Sequence, residues 1–379
     1  PGAGKTLVGL NIAIERSDAE KGEHAVFLSW NFPLVTVLQE ALARDKVEQC
    51  KRNDEKISKS AALRETSAFI QIIHKYRDSF VGNNNIPPER IAIFDEAQRA
   101  WTKSMIANFM ATKKGIADFK YSEPEFLINT LDRHLDWAVI ICLVGGGQEI
   151  NTGEAGLIEW FDSLRRAYPN WDVYVSSELN DTEYRRDRTL ESLFVGLNVH
   201  EYNDLHLSTA VRSFRTPDLA AFVKSVLDVD IDKAKALYQR IKDKYPILLT
   251  RSIEEAKTWV KQHCRGTMRY GLMASSGALR LKAKGIFVKN EINVANWFLN
   301  DKTDVRSSFY LEDVVSAFDI QGLELDYTIL AWDGDFRFDG TKWTYNNFVG
   351  NKWQNVNIND KKLYLKNAYR VLLTRARQG

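Results

Sequence analysis

The first six residues, Pro1-Gly2-Ala3-Gly4-Lys5-Thr6, constrain the fold more than any other segment of the chain. The two glycines let backbone N–H groups turn toward one point, and apolar residues at helical spacing in 6–17 predict a helix directly afterwards. This order is the second half of a Walker A loop, whose backbone cradles a polyphosphate at a helix N-terminus. Lys5 would contact the β- and γ-phosphates of a nucleotide, and Thr6 would ligand Mg²⁺ through its hydroxyl.

A glycine turn in front of a helix is the simpler alternative, and the Lys-Thr pair in register argues against it. A complete loop has another glycine five residues before Gly4 and a strand in front of it. Neither is present, and the chain has no initiator methionine. We therefore expect an N-terminally truncated chain that lacks the first strand of its sheet.

A second polar segment follows an apolar strand pattern at 91–94. It begins with the acidic pair Asp95-Glu96, at the end of a strand where α/β proteins bind ligands. Asp95 is a candidate Mg²⁺ ligand, and Glu96 is a candidate base for an attacking water. Gln98 would couple the nucleotide to a neighbouring segment. An acidic pair after a strand also commonly caps a helix, but the preceding loop favours the nucleotide interpretation.

Apolar strand patterns alternate with helical patterns along the chain, which predicts an α/β fold with parallel sheets. The expected strands lie at 24–29, 91–94, 138–144, 172–176, 247–250, 270–274 and 327–331. The charged segment 45–90 predicts a helical insertion, and a last helix is expected near 360–376. We place the first domain at 1–205 and the second at 206–379.

Composition excludes several classes of protein. A hydrophobic content of 44% is that of a soluble globular chain, and the run 137–144 is too short to span a membrane, so no membrane partner is expected. The net charge of +2 does not indicate binding of nucleic acid, although a local basic groove could exist without raising the net charge. Three dispersed cysteines predict reduced thiols and a cytoplasmic location, and the histidines predict no structural metal.

The chain resembles the superfamily 1 helicases in a series of ordered segments. Asp95-Glu96-Ala97-Gln98 resembles their second motif. The segments that resemble the third to sixth motifs are, in order, Val144-Gly145-Gly146-Gly147-Gln148-Glu149, Ala210-Val211-Arg212-Ser213-Phe214-Arg215, Gln321-Gly322-Leu323-Glu324-Leu325-Asp326 and Tyr369-Arg370-Val371-Leu372-Leu373-Thr374-Arg375-Ala376-Arg377. The sequences of several of these segments resemble even more closely a bacterial family of helicase-like P-loop proteins of unknown function that is related to the helicase domain of Schlafen proteins.

This resemblance implies two RecA-like P-loop domains with the nucleotide site in the cleft between them. It implies that Gln148 senses the γ-phosphate and that Arg212 and Arg375 contact it from the second domain as arginine fingers. Glu324 would bind the ribose or brace the strand-binding face. Gly146 departs from the pattern, because these helicases usually have Asp there. A surface role is the alternative for the arginines, since cations near a helix end also favour the helix dipole.

The function that the resemblance implies is an ATP- and Mg²⁺-dependent helicase or translocase on single-stranded DNA or RNA, with room for accessory domains or partner proteins. The alternative is a nucleotide-dependent switch or defence ATPase that does not unwind. Trp30, Phe32 and the aromatic loop 332–353 are candidates for base stacking, and a core role is the alternative for each. Acidic residues in that loop argue against close contact with phosphates.

Overall fold

The computed structural model describes most of the chain as two compact units. The described residues are 4–17, 22–145, 155–180, 188–207 and 218–379. The first unit comprises residues 1–32 and 50–210, and the second comprises residues 33–49 and 211–379. Most of helix α2 (Phe32–Arg52) therefore belongs to the second unit, although it lies early in the sequence.

A four-stranded parallel sheet with the strand order β2-β1-β3-β4 lies in the first unit. Its strands are β1 (Ala25–Ser29), β2 (Ile70–Ile72), β3 (Ile91–Asp95) and β4 (Val139–Leu143). Every residue of β1 and β3 is buried, as expected for inner strands of a parallel sheet. The predicted α/β class with parallel sheets is confirmed.

The parallel register aligns the last residues of three neighbouring strands. Ser29 of β1 lies opposite Asp95 of β3, and Asp95 lies opposite Leu143 of β4. The residues that follow these three positions therefore emerge at the same edge of the sheet. This edge is the one at which α/β proteins bind ligands.

The helices of the first unit mostly begin at a residue whose side chain caps the first turn. They are α1 (Lys5–Glu15), α3 (Lys59–Phe69), α4 (Ile73–Phe80), α5 (Lys103–Phe109), α6 (Glu123–Leu131), α7 (Ile158–Ala167) and α8 (Leu190–Phe194). Ser58, Thr102, Ser122 and Thr189 each accept a hydrogen bond from a backbone N–H of the helix that they precede. Helix α1 has no such side-chain cap and follows Gly4 instead.

The segment 45–90 contains the expected helices but also supplies a strand. Helices α3 and α4 flank β2, which pairs in parallel with Phe27–Ser29 of β1. The segment is therefore part of the sheet rather than a purely helical insertion. Because β2 has only three residues, Ile70-Gln71-Ile72, and lies between charged helical sequences, no strand pattern stands out.

The strand predicted at 172–176 is confirmed, but it lies in a separate sheet. Strand β5 (Asp172–Ser176) pairs in parallel with β6 (Asn198–Tyr202). This two-stranded sheet packs its Val175 into the same apolar core as Val26 and Phe94 of the larger sheet.

A buried carboxylate joins distant parts of the first unit. Glu123 of α6 is fully buried and accepts hydrogen bonds from the Trp30 indole at 2.9 Å, the Trp101 backbone N–H at 2.9 Å and the Arg77 guanidinium at 2.7 Å. Trp30 follows β1, and Trp101 follows the turn that begins at Asp95. The carboxylate therefore braces the segments that leave two central strands.

The second unit contains a three-stranded parallel sheet with the order β8-β7-β9. Its strands are β7 (Tyr270–Ala274), β8 (Val314–Val315) and β9 (Tyr327–Ala331), so the strands predicted at 270–274 and 327–331 are confirmed. Its remaining helices are α9 (Leu219–Leu227), α10 (Ile231–Ile241), α11 (Ile253–His263), α12 (Val294–Leu299), α13 (Ala317–Ile320) and α14 (Asn359–Leu373). In the described ranges, no helix combines the length and the apolarity needed to cross a membrane.

The aromatic segment that follows β9 forms an antiparallel meander. Its strands are β10 (Phe336–Phe338), β11 (Trp343–Val349) and β12 (Lys352–Asn355). Phe336 is fully buried, and its ring lies 4.4 Å from that of Trp343 and 4.9 Å from that of Tyr369 in α14. These inner aromatic residues attach the meander to the rest of the unit, so the core alternative is confirmed for them.

The strand predicted at 247–250 is wrong. These residues are irregular, and Leu249 is 96% exposed. The edge beside β9 is already occupied, because Leu325 forms a parallel bridge with Ala376 and the Thr328 N–H donates to the Gly379 carbonyl. An apolar run does not become a strand where no open strand edge receives it.

We predict that Glu123→Gln lowers the free energy of unfolding by about 1.5–3 kcal/mol, because it removes a fully buried carboxylate from the buried Arg77 guanidinium and leaves only the Asp78 carboxylate, at 2.9 Å, to pair with it. The glutamine amide would also direct an N–H group toward groups that donate hydrogen bonds to Glu123 in the parent. Glu125→Gln, on the same helix, removes a carboxylate whose partner Arg166 is half exposed, so we expect about 0–1 kcal/mol. Urea denaturation of both variants measures the difference. Equal losses would contradict the structural role of Glu123.

Candidate functional site

The start of α1 and the ends of β3 and β4 bring five of the predicted site residues together. Lys5 and Thr6 are the first residues of α1, directly after Gly4, whose φ of 78° is a left-handed conformation that favours glycine. Asp95 ends β3, and Glu96 and Gln98 follow it. Hydrogen bonds and one ion pair connect all five side chains within the first unit.

The Thr6 hydroxyl lies against the Asp95 carboxylate, 3.4 and 3.3 Å from its two oxygens. Neighbouring oxygen ligands of an octahedral Mg²⁺ ion are about 3 Å apart, so this pair fits such an ion. Among the described residues, no group of three or more His, Cys, Asp and Glu side chains could hold a metal. Mg²⁺ commonly takes only one or two carboxylates and completes its shell with phosphates and water, which suits this pair.

Asp95 is almost completely buried, with 1% of its surface exposed. Burial, followed by repulsion from the neighbouring Glu96 carboxylate, raises the pKa of its carboxyl group to about 7, although Lys5 and the Thr6 hydrogen bond oppose the shift. A bound cation would offset this desolvation, because it stabilises the ionised carboxylate.

The side chain of Lys5 lies close to both Glu96 and Gly145. Its Nζ atom lies 3.8 Å from Glu96 Oε1, a distance at which the ion pair is weak. A Cβ atom added to Gly145, just after β4, would lie 2.6 Å from that nitrogen. Gly145 thus leaves the space that the lysine ammonium occupies.

Glu96 has a strained backbone. Its φ of 56° and ψ of 47° lie in the left-handed region, which non-glycine residues adopt at a cost of about 1–3 kcal/mol and mainly at functional sites. The turn is held by the Arg99 N–H on the Glu96 carbonyl and the Trp160 indole on the Ala97 carbonyl, each at 2.9 Å. These bonds fix the direction in which the Glu96 side chain leaves β3.

Gln98 connects the ends of β3 and β4. Its amide nitrogen donates to Glu96 Oε2 at 2.5 Å and to the Gly145 carbonyl at 2.8 Å. Its amide oxygen accepts from the Gly145 N–H at 3.3 Å. The side chain is buried, and any displacement at Glu96 would therefore be transmitted to the start of the glycine-rich segment.

Four predicted site residues, Gly2, Ala3, Gln148 and Arg212, lie outside the described residues. Two others belong to the second unit. Arg375 is 2% exposed and its Nε donates to the Val371 carbonyl at 3.0 Å, while Glu324 forms an ion pair with Arg377 at 3.4 Å. Helix α14 ends at Leu373, so neither Arg375 nor Arg377 lies in the last helix, which the sequence predicted near 360–376. Their roles toward a nucleotide stay predictions.

The two aromatic candidates after β1 behave differently. Trp30 is buried, its ring packs 6.2 Å from that of Phe94, and its indole N–H donates to Glu123, so the core alternative is confirmed. Phe32 is 60% exposed.

Sequence reasoning missed Trp160, Gly145 as a space-making residue, and the backbone conformation of Glu96. Trp160 lies in α7, far from Ala97 in sequence, and nothing in its local pattern marks it. Gly145 belongs to a motif that we quoted, and its position directly after an apolar strand is the signal that marks it.

The fold and the site define the class as an α/β protein with a polar site at the carboxyl ends of parallel strands. The chain belongs to the family described as Schlafen group 3, DNA/RNA helicase domain, whose family model matches residues 1–379. The expected helicase-related family is thereby confirmed. No curated protein and no solved structure matches the chain. Assignment to superfamily 1 and a bacterial origin stay predictions.

We predict that Asp95→Asn stabilises the protein above neutral pH. The folded-state pKa of Asp95, about 7, exceeds the ordinary value of 3.8. Protonated Asp95 therefore contributes stability that is fully present below about pH 4 and is lost as the pH rises to about 7. The advantage of the variant over the parent should be at least about 1 kcal/mol larger at pH 8 than at pH 4.5. Urea denaturation in metal- and nucleotide-free buffer measures both.

Asp136→Asn is the control, since the Arg90 hydrogen bond lowers the pKa of Asp136 to about 2 and this group stays charged throughout that range. A constant difference between Asp95→Asn and the parent from pH 4.5 to 8 would contradict the burial argument.

Proposed function

We propose that this chain is the ATP-dependent motor domain of a superfamily 1-type nucleic-acid helicase or translocase, built of two RecA-like units. The observation that carries the proposal is the meeting of Lys5, Thr6, Asp95 and Glu96 at the carboxyl ends of parallel strands. Membership of a helicase-like family supports the same reading. Single-stranded DNA or RNA is the proposed partner.

Thr6 and Asp95 would hold Mg²⁺ through their oxygens, and the ion would neutralise charge on the nucleotide phosphates. Lys5 would leave its weak contact with Glu96 to contact the β- and γ-phosphates. The N-terminus of α1, next to Gly4, offers backbone N–H groups for the same phosphates. All these groups lie on the first unit, and the contacts predicted for Arg212, Arg375 and Glu324 would come from the second.

Glu96 would orient the attacking water and accept its proton. Its left-handed backbone and the hydrogen bond from Gln98 hold the carboxylate in a fixed position, which general-base catalysis requires. Because Gln98 also binds both backbone groups of Gly145, hydrolysis at Glu96 would be felt at the segment after β4. This is a physical route from the chemistry to a conformational change.

A nucleotide-dependent switch or defence ATPase would use the same residues without unwinding. The test is therefore ATP hydrolysis measured with and without single-stranded DNA and RNA at several salt concentrations, beside a strand-displacement assay. We expect stimulation by one of the two strands that weakens as salt rises. Hydrolysis without stimulation would identify the switch, and absence of hydrolysis would defeat the proposal.

We predict that Glu96→Gln keeps nucleotide affinity and reduces turnover by about 10²–10⁴-fold, the usual contribution of a positioned base. Lys5→Ala should instead weaken nucleotide binding. Glu125→Gln changes a carboxylate of the same unit that pairs with Arg166 outside the site, so it is the control and should keep the parental rate. Fluorescent-nucleotide titration and single-turnover hydrolysis separate the two effects. Parental turnover in Glu96→Gln would refute the assignment of the base.

Gly145→Ala should act through Lys5. The new methyl group would meet the flexible end of the lysine, so we expect a stability loss below about 1 kcal/mol but nucleotide binding at least about tenfold weaker. Thermal melting and nucleotide titration measure the two quantities. If affinity were unchanged while the melting temperature fell, Gly145 would serve packing rather than the lysine.

A further inference from the structure

Two arginines and two aromatic rings form a continuous row on the meander of the second unit. The Arg280 guanidinium lies 5.7 Å from the Phe348 ring centroid, the Phe348 ring lies 5.1 Å from that of Trp353, and the Arg337 guanidinium lies 5.4 Å from the Trp353 ring. Both arginines are exposed and both rings are partly buried. We call these four residues the arginine–aromatic row.

The strands of the meander set the row in order. Phe348 and Trp353 are directly opposite each other in the β11–β12 pair, so their side chains lie on one face. Gly334 makes room beneath them, because a Cβ atom there would lie 2.8 Å from the Trp353 ring and 3.5 Å from Arg337 Nε. Arg280 lies in the short 3₁₀ helix Leu279–Lys284, which follows β7 in the sequence. The row thus has a packed base and an exposed cationic surface.

The acidic residues of the same segment do not pair with the guanidinium groups of the row. Asp335 is buried and accepts hydrogen bonds from the Tyr369 hydroxyl and Ser275. Asp333 accepts backbone N–H groups of Arg280 and Gly334, and Asp339 accepts those of its own turn. In the part of the chain that the structure describes, no carboxylate lies within 4.0 Å of a charged nitrogen of Arg280 or Arg337.

We propose that the arginine–aromatic row binds single-stranded nucleic acid. Guanidinium groups pair with phosphates, and bases stack on both aromatic rings and guanidinium planes, so two neighbouring rings with a guanidinium at each end match a short single strand whose bases stack and whose phosphates pair with the arginines. The two rings favour nucleobases over an acidic peptide, which offers carboxylates but no stacking partner. The inference rests on the proposed function for its class of ligand and locates a contact surface on the second unit.

The test is binding of a fluorescent oligothymidylate and an oligouridylate to the full chain without nucleotide, over a range of salt concentrations. Arg280→Gln/Arg337→Gln should weaken binding by about tenfold and reduce the slope of log affinity against log salt by about 1.4, the value for two phosphates of a single strand. Trp353→Ala should weaken binding by about fivefold or more through lost stacking. Both variants are first checked for the parental melting temperature.

Lys342→Gln/Lys352→Gln is the matched control, since it removes the same charge from exposed residues of the same meander outside the row. We expect a change below about threefold for this pair. An equal loss in both double variants, no loss in the arginine pair, or equally tight binding of polyglutamate that depends on the same arginines would each overturn the proposal. A parent that binds neither oligonucleotide would overturn it too.

Basal ATP hydrolysis separates this inference from the proposed function. None of the four row residues belongs to the nucleotide site, so both double variants should keep the parental basal rate. A parent without ATP hydrolysis would defeat the proposed motor, whereas the binding comparison would still decide the role of the row.

Discussion

The parallel register of β1, β3 and β4 is the constraint on which the candidate site depends. It places Ser29, Asp95 and Leu143 side by side, so the segments that follow emerge at one edge of the sheet. A slip of one residue would turn every side chain of the slipped strand to the opposite face. Asp95 would then leave Thr6, and the apolar residues of β3 would lose their buried positions. Core packing and site geometry are therefore specified by the same pairing.

Two features of this edge are unfavourable for folding alone. Asp95 is a buried carboxylate beside another carboxylate, and Glu96 occupies a left-handed conformation. Each destabilises the apo protein, and the hydrogen bonds from Trp160 and Gln98 offset part of that cost. Such local conflicts concentrate at functional sites, where the surrounding structure maintains a geometry that the sequence would not choose locally. They are the physical support for a chemical role of this edge.

The second unit uses its polar groups differently. Asp335 and Asp333 hold the meander to the turn after β7, whereas Arg280 and Arg337 extend over aromatic rings to the surface. Of the acids in this segment, Asp335 is buried and Asp333 and Asp339 accept backbone N–H groups, so none of the three pairs with the arginines of the row.

The sequence by itself determined the α/β class, half of the strands that the structure describes, and the residues of the candidate site in the first unit, because apolar periodicity and glycine-lysine-threonine or acidic clusters are local patterns. Tertiary structure decided the rest. Residues 247–250 have a strand pattern, but the edge beside β9 is occupied by residues 376–379. Strand β2 forms because β1 offers it a partner, and Trp160 reaches Ala97 only through the packing of α7. These outcomes depend on segments distant in the chain, and local sequence carries no information about which of those segments will lie beside it.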